Sequence, residues 1–191
     1  MEGMLPIVIT AIAFITFLMI INFLLIFIFY KKVPTAKAIV RNGFGGTKVA
    51  ISKGMYVIPS FHTYEILDLS SKSIRVELLD DNNLITKDNV RIDIKASFMM
   101  HVNNELKQIK RVSETIGVTN ASNEEHLKEL FSAKFSEALK TVARKYEFKE
   151  LLDSRSEFRD NVIDITGTDL HGFILSDCAI DYIEKTINQK Q

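Results

Sequence analysis

From Leu5 to Tyr30 the chain contains no Lys, Arg, Asp or Glu, and the run LPIVITAIAFITFLMIINFLLIFIFY is nearly all Leu, Ile, Phe and Val. About 20 apolar residues cross the hydrocarbon core of a bilayer. Ile7 to Tyr30 supplies about 24, or roughly 36 Å at a helical rise of about 1.5 Å per residue, enough to span with some tilt. Each Leu, Ile, Phe or Val contributes about −0.3 to −0.6 kcal/mol at the helix centre, so the run sums to the order of −5 to −10 kcal/mol. Asn22 is its one strongly polar side chain and lowers that total without reversing it. Ile7, Phe14, Asn22 and Phe29 are therefore placed in a membrane span, with Tyr30 at the interface.

This segment does not read as a cleaved signal peptide, which has a basic n-region, an apolar core of about 7 to 15 residues and a small-residue cleavage site. Here Glu2 precedes the run, the apolar core is longer, and Tyr30-Lys31-Lys32 follows it. Lys31, Lys32, Lys37 and Arg41 lie just after the span, and no Lys or Arg precedes it. The positive-inside rule then predicts a single-pass protein of the cell membrane, its N-terminus outside and the remainder in the cytoplasm.

The remaining residues suffice for one domain with a real core, or two small subdomains. Cys178 is the sole cysteine, so no intramolecular disulfide forms, which fits a reducing compartment. Formal net charge is +0, but it is unevenly spread. Lys31–Leu79 has 8 basic and 3 acidic residues, a net +5, whereas Asp80–Gln191 has 16 and 20, a net −4. The positive half is the half tethered to the bilayer. Each basic residue near an anionic lipid surface gains about 1 kcal/mol, so Lys31, Lys32, Lys37 and Arg41 fit a membrane-surface contact as well as an ordinary solvated face. A nucleic-acid-binding domain would be far more basic.

After Pro34 the pattern is β-rich. Ala36–Arg41, Thr47–Ser52, Met55–Pro59, Tyr64–Leu69 and Ser73–Leu78 read as short strands, with turns at Asn42–Gly46 and Lys53-Gly54. Leu84–Thr86 and Val90–Val102 form a hairpin around Lys87-Asp88-Asn89, with Ile92, Ile94, Ala96 and Phe98 on one face. The period then turns helical. Leu106, Ile109 and Val112 mark one helix with Gly117 as its C-cap. Ser122 and Glu125 form a capping box opening a second helix, whose stripe is Leu127, Leu130, Phe131, Phe135, Leu139, Val142 and Tyr146. Ser154 and Glu157 form another box, opening a helix with Phe158, Val162, Ile165 and Leu170 that ends at Gly172. Phe173–Ile183 is a last strand. The fold class is α+β, organised as an anchor (residues 1–32), a β-rich membrane-proximal subdomain (33–79) and an α+β subdomain (80–186), with 187–191 opening a C-terminal extension.

Catalytic or metal chemistry finds little support. The histidines His62, His101, His126 and His171 show no metal-ligand spacing. His62 beside Phe61 reads as a packed or hydrogen-bonded turn histidine, and Cys178, inside an apolar strand, as a buried inert thiol. The turn Gly43-Phe44-Gly45-Gly46 joins two strands and lacks the Lys and Ser/Thr of a phosphate loop. Phe44, Met55, Tyr56, Ile58 and Phe61 cluster at turns of the basic half. Tyr56 and Ile58 are expected in the small β core. For Phe44, at a glycine-flanked tip, membrane insertion and a protein contact both stand.

The segment KAIVRNGFGGTKVAISKGMYVIPSFHTYEILDLSSKSIRVE resembles the start of the flotillin family, within the stomatin/prohibitin/flotillin/HflK–HflC (SPFH, band 7) superfamily. LITKDNVRIDIKASFMMHV is similar to the family's hairpin pattern at Thr86, Asp88, Val90, Ile92 and Ile94. A third match falls on Glu150, Leu151, Arg155, Phe158 and Val162, and a fourth on DLHGFILSDCAIDYI. The bacterial type with an N-terminal membrane span resembles it most, over about residues 36 to 186. The family's paired glycine is Lys53-Gly54 here, and its Glu/Ala-rich coiled coil would follow the last residue, Gln191. The resemblance implies an SPFH fold without cofactor or enzymatic activity. It implies a scaffold that assembles side by side into rings or cages, organises membrane lipids and proteins, and has an NfeD-type membrane protein as partner. An anchored adaptor regulating a membrane protease is the alternative.

Overall fold

The computed structural model describes residues 4–167 and 170–186. The expected extension at 187–191, Asp169 of the return-strand motif and the side chain of Ile7 lie outside the described residues. Helix α1 (Met4–Phe29) is one continuous helix. Its part Val8–Phe29 is long and apolar enough to cross a membrane, and none of it is buried within the protein. In hydrocarbon a lone segment must satisfy its own backbone hydrogen bonds, which a helix does.

The chain passes directly from α1 into β1 (Tyr30–Lys31), followed by β2 (Lys37–Gly43), β3 (Lys48–Ala50), β4 (Met55–Tyr56) and β5 (His62–Asp68). β1 pairs antiparallel with β4, and β2 lies between β3 and β5. Ala38 and Val40 of β2 enter the main core, and Ile39, on the opposite face, is buried apart from it.

Next come β6 (Lys72–Leu78), a single 3-10 turn at Asp80–Asn82, β7 (Leu84–Ile85) and β8 (Arg91–Val102). Helices α2 (Leu106–Thr115), α3 (Val118–Ser122), α4 (Glu124–Ala143), α5 (Phe148–Asp153) and α6 (Arg155–Thr166) precede β9 (Phe173–Lys185). β8 is the central strand: β6 and β7 pair along one side of it and β9 along the other, all antiparallel. β6 thus belongs to this sheet, so the division between the two sheets falls near Ser70 and not after Leu79. Its alternation matched any strand, and only its partner determines which sheet it joins.

The expected face of β8 is the core face: Ile92, Ile94, Ala96, Phe98, Met100 and Val102 are all fully buried. α4 and α6 cover that face. Phe98 stacks on Phe135 with ring centroids 4.2 Å apart, and Leu127, Phe131, Leu139 and Val142 complete the stripe. Leu130 and Ile165 are exposed, since they sit at the rim of their helices' apolar stripes. One apolar cluster runs from Ala38 and Leu67 of the first sheet to Phe158 and Ile183 of the second, so the two sheets share a core.

Helix boundaries differ from the sequence expectation in three places. Gly117 follows α2 as expected, but it also precedes the extra turn of helix α3. The cap of α4 is Asn123, whose side chain accepts from the N–H groups of Glu125 and His126. Ser122 instead donates to the Val118 carbonyl and accepts from the Asp68 N–H. α6 ends at Thr166 with Gly167 (φ 75°) after it, well before Gly172, and its Ser154 makes no side-chain cap bond.

Candidate membrane-facing surface

No loop separates the apolar helix from the folded domain. The Val57 N–H donates to the Phe29 carbonyl (2.9 Å), and the Tyr30 and Tyr56 rings meet edge-on at 5.3 Å. Gly54 makes this joint possible: a Cβ there would lie 2.4 Å from the Tyr30 ring and 2.6 Å from the Lys31 carbonyl oxygen. The second glycine of the family's pair is therefore fixed by a close approach of backbone to ring. The Lys31 ammonium lies 6.0 Å from the centroid of the Tyr64 ring, at the outer limit of a cation–π contact.

Two loop tips are tied together beside this joint. Gly43, at φ +136°, comes so close to residue 61 that a Cβ would sit 2.1 Å from the Phe61 carbonyl oxygen. The Phe44 N–H donates to the Phe61 carbonyl (3.1 Å). His62 completes the tie. Its Nδ1 accepts from the Ile58 N–H at 3.3 Å, and its Nε2 lies 3.2 Å from the Phe44 carbonyl. A neutral imidazole with its hydrogen on Nε2 satisfies both groups at once. The tie holds two aromatic side chains out in the open: Phe44 is 84% exposed and Phe61 64%. Tyr56 and Ile58, expected in the core, are exposed as well. β4 is only two residues long and ends at Tyr56, so Ile58 lies beyond it and there is too little sheet behind either residue to cover them.

The other residues singled out divide into two groups. Phe14, Asn22 and Tyr30 are exposed along α1 and its end, Phe29 is half-buried against the domain, and Lys31 and Lys32 are exposed. Arg41 is half-buried and committed to structure: its guanidinium donates to the Tyr56 carbonyl. Lys37 pairs in register with Asp68, at the opposite end of β2 from Gly43. Six residues at about 3.4 Å each put it roughly 20 Å along the strand from the Phe44 end. Lys31, Lys32, Phe44 and Phe61 are thus exposed around the end of the helix, together with Tyr56 and Ile58. The sequence already groups Phe61 with Phe44, but their tie was hidden because nothing local pairs residue 61 with residue 44.

Chemistry elsewhere is structural. Among the described residues, no three His, Cys, Asp or Glu side chains are placed to hold a metal. Cys178 is buried, and desolvation pushes its thiol up to about 12. His126 and His171 border a cavity of about 300 Å³ with Thr115 and Asn120. In the β7–β8 turn, Thr86 donates to the Asp88 carboxylate, which also accepts from the Phe148 N–H and so ties the turn to α5. The hydrogen bond from Thr86 is the largest of the effects that lower the Asp88 pKa. Asn89, at φ 60°, turns the chain in the left-handed region that Asn tolerates.

A long apolar helix that runs into the β1–β4 ribbon, followed by two larger antiparallel sheets that share one core with α4 and α6, defines an SPFH-type α+β protein. The model of the SPFH domain / Band 7 family matches residues 31–181. The flotillin family inner membrane protein YqiK of Escherichia coli (strain K12) is 32% identical over 141 residues, covering 74% of this chain and 25% of that protein. The flotillin family inner membrane protein sll1021 of Synechocystis sp. (strain ATCC 27184 / PCC 6803 / Kazusa) is 27% identical over 188 residues, covering 95% of this chain and 27% of that protein. The chain therefore belongs to the flotillin family of the SPFH/band 7 superfamily. It spans about a quarter of the length of these relatives.

Proposed function

We propose that this chain is a membrane-anchored scaffold that assembles laterally and organises membrane microdomains and the proteins within them. α1 spans the membrane with its N-terminus outside, and the SPFH domain lies on the cytoplasmic surface. The observation that carries this reading is the hydrogen-bonded continuation of α1 into β1 and β4, which seats the domain directly at the end of the span. Lys31 and Lys32 then face anionic headgroups, and Phe44 enters the interface, where an aromatic ring beside basic residues is favoured. The family supports a role without catalysis, and both ring nitrogens of His62 are engaged by backbone groups, leaving neither open for proton transfer. Further copies of this chain, membrane lipids and an NfeD-type membrane protein are the partners of this reading. Confinement to one plane turns weak lateral contacts into a stable ring or cage, because neighbours are held at high effective concentration.

Light scattering of the detergent-extracted chain tests assembly. A discrete particle of many copies is expected. A monomer across the concentration range would favour an anchored adaptor instead.

A further inference from the structure

We infer that α1 is also an assembly element: the helices of two copies pair in parallel along a seam centred on Asn22. This deepens the scaffold reading and rests on it.

Asn22 is exposed on α1, and its side chain has no hydrogen-bond partner among the described residues. It lies seven residues before Phe29, the end of the span, so about 10 Å inside the hydrocarbon at a rise of about 1.5 Å per residue. No water satisfies an amide at that depth. An amide carries both donors and an acceptor, so two copies of Asn22 satisfy each other. All copies cross the membrane in the same direction, which brings Asn22 of one opposite Asn22 of the next.

The residues around Asn22 fit such a seam. Spacings of three and four place Val8, Ala11, Ile15, Leu18, Asn22 and Leu25 on one stripe of the helix. Val8, Ile15 and Asn22 take the first position of successive heptads, and Ala11, Leu18 and Leu25 the fourth. β-Branched residues at the first position with Leu at the fourth favour two parallel strands, and a lone Asn at a first position sets their register. Phe14, Phe17, Phe23 and Phe27 lie off this stripe, and Phe23 and Phe27 contact each other away from it, with centroids 5.1 Å apart; Phe29 continues the stripe only at the domain end of the helix, where it is half-buried. From Val8 to Leu25 the seam is thus the side of the helix where bulky rings do not hold a second backbone away.

The test is disulfide trapping in membranes from cells expressing the full chain. Cys178 is buried and stays silent. Single cysteines replace residues along the helix, Ile15→Cys, Leu18→Cys and Leu25→Cys on the seam, with Ile20→Cys, Leu24→Cys and Phe27→Cys off it. Covalent dimers are expected at the seam positions and several-fold less elsewhere. Adding Asn22→Leu lowers the dimer yield at Leu18→Cys roughly three- to fifteen-fold, the range of measured interhelical hydrogen bonds, and Asn22→Gln, which keeps the amide, retains most of it. Equal trapping all around the helix, or none, in a chain that light scattering shows to be assembled would overturn the inference and leave the scaffold reading standing. A chain that is monomeric by light scattering would overturn both.

Discussion

Gly54 and His62 show how single residues join an apolar helix to a folded domain. Gly54 has no freedom to gain a side chain, because the Tyr30 ring occupies the place of its Cβ. Gly54→Ala is expected to open the β1–β4 pair and to cost about 1–3 kcal/mol, the usual range for overpacking, read as a lowered denaturation midpoint. His62→Ala removes the link between Ile58 and Phe44. In hydrogen exchange the amides of residues 44 and 58 are expected to lose protection, while those of β8 keep theirs. Cys178 gives a third check. Burial that raises its thiol to about 12 leaves almost no thiolate at pH 8, so a disulfide reagent is expected to label it only after unfolding. Rapid labelling of the native chain would contradict its placement. Of these residues the sequence revealed Cys178, through its apolar neighbours, and the turn role of His62. The link from His62 to residue 44 was hidden, because the two meet only through the pairing of β2 with β5.

Among the elements, the apolar helix and the central strand β8 were the most legible, each with a strong period or an unbroken apolar run. Phe98→Ala should cost about 3–5 kcal/mol, since its ring is fully buried and stacked on Phe135. Capping was harder to read. Ser122 and Asn123 are both good caps, and the choice fell to Asn123 because Ser122 is recruited by Asp68 of the first sheet. The segment between the two sheets is pinned by Asp68 as well. Burial alone would raise its pKa, but hydrogen bonds from Ser70 and the buried Lys72 ammonium at 3.1 Å outweigh it, and the net shift is downward. A lowered folded-state pKa means that the stabilisation is complete above the unfolded value of about 3.9 and is lost as the pH falls through the folded value. Asp68→Asn should therefore destabilise by about 1–3 kcal/mol at pH 7 and by far less at pH 2. Equal losses in thermal melts at the two pH values would contradict this pairing.

The whole molecule, among the described residues, is two larger antiparallel sheets fused through one core, with the apolar helix running without a linker into a separate two-stranded ribbon of β1 and β4. Its α+β class and segment order were readable from strand and helix periods. The membership of β6 was not, because alternation identifies a strand but not its neighbour. Of the candidate surface, the sequence indicated Lys31, Lys32 and Phe44, but it could not separate them from Arg41, whose guanidinium is bonded to the Tyr56 carbonyl, or from Lys37, which lies at the far end of β2. On the proposed scaffold reading, a joint without a linker would hold the domains at one height and angle, so that neighbours meet through the same faces. Electron cryomicroscopy of lipid vesicles bearing the full chain tests this most directly. Domains packed side by side in closed rings or cages against the membrane are predicted. Single domains scattered evenly over the vesicle, at high as at low protein density, would contradict the account.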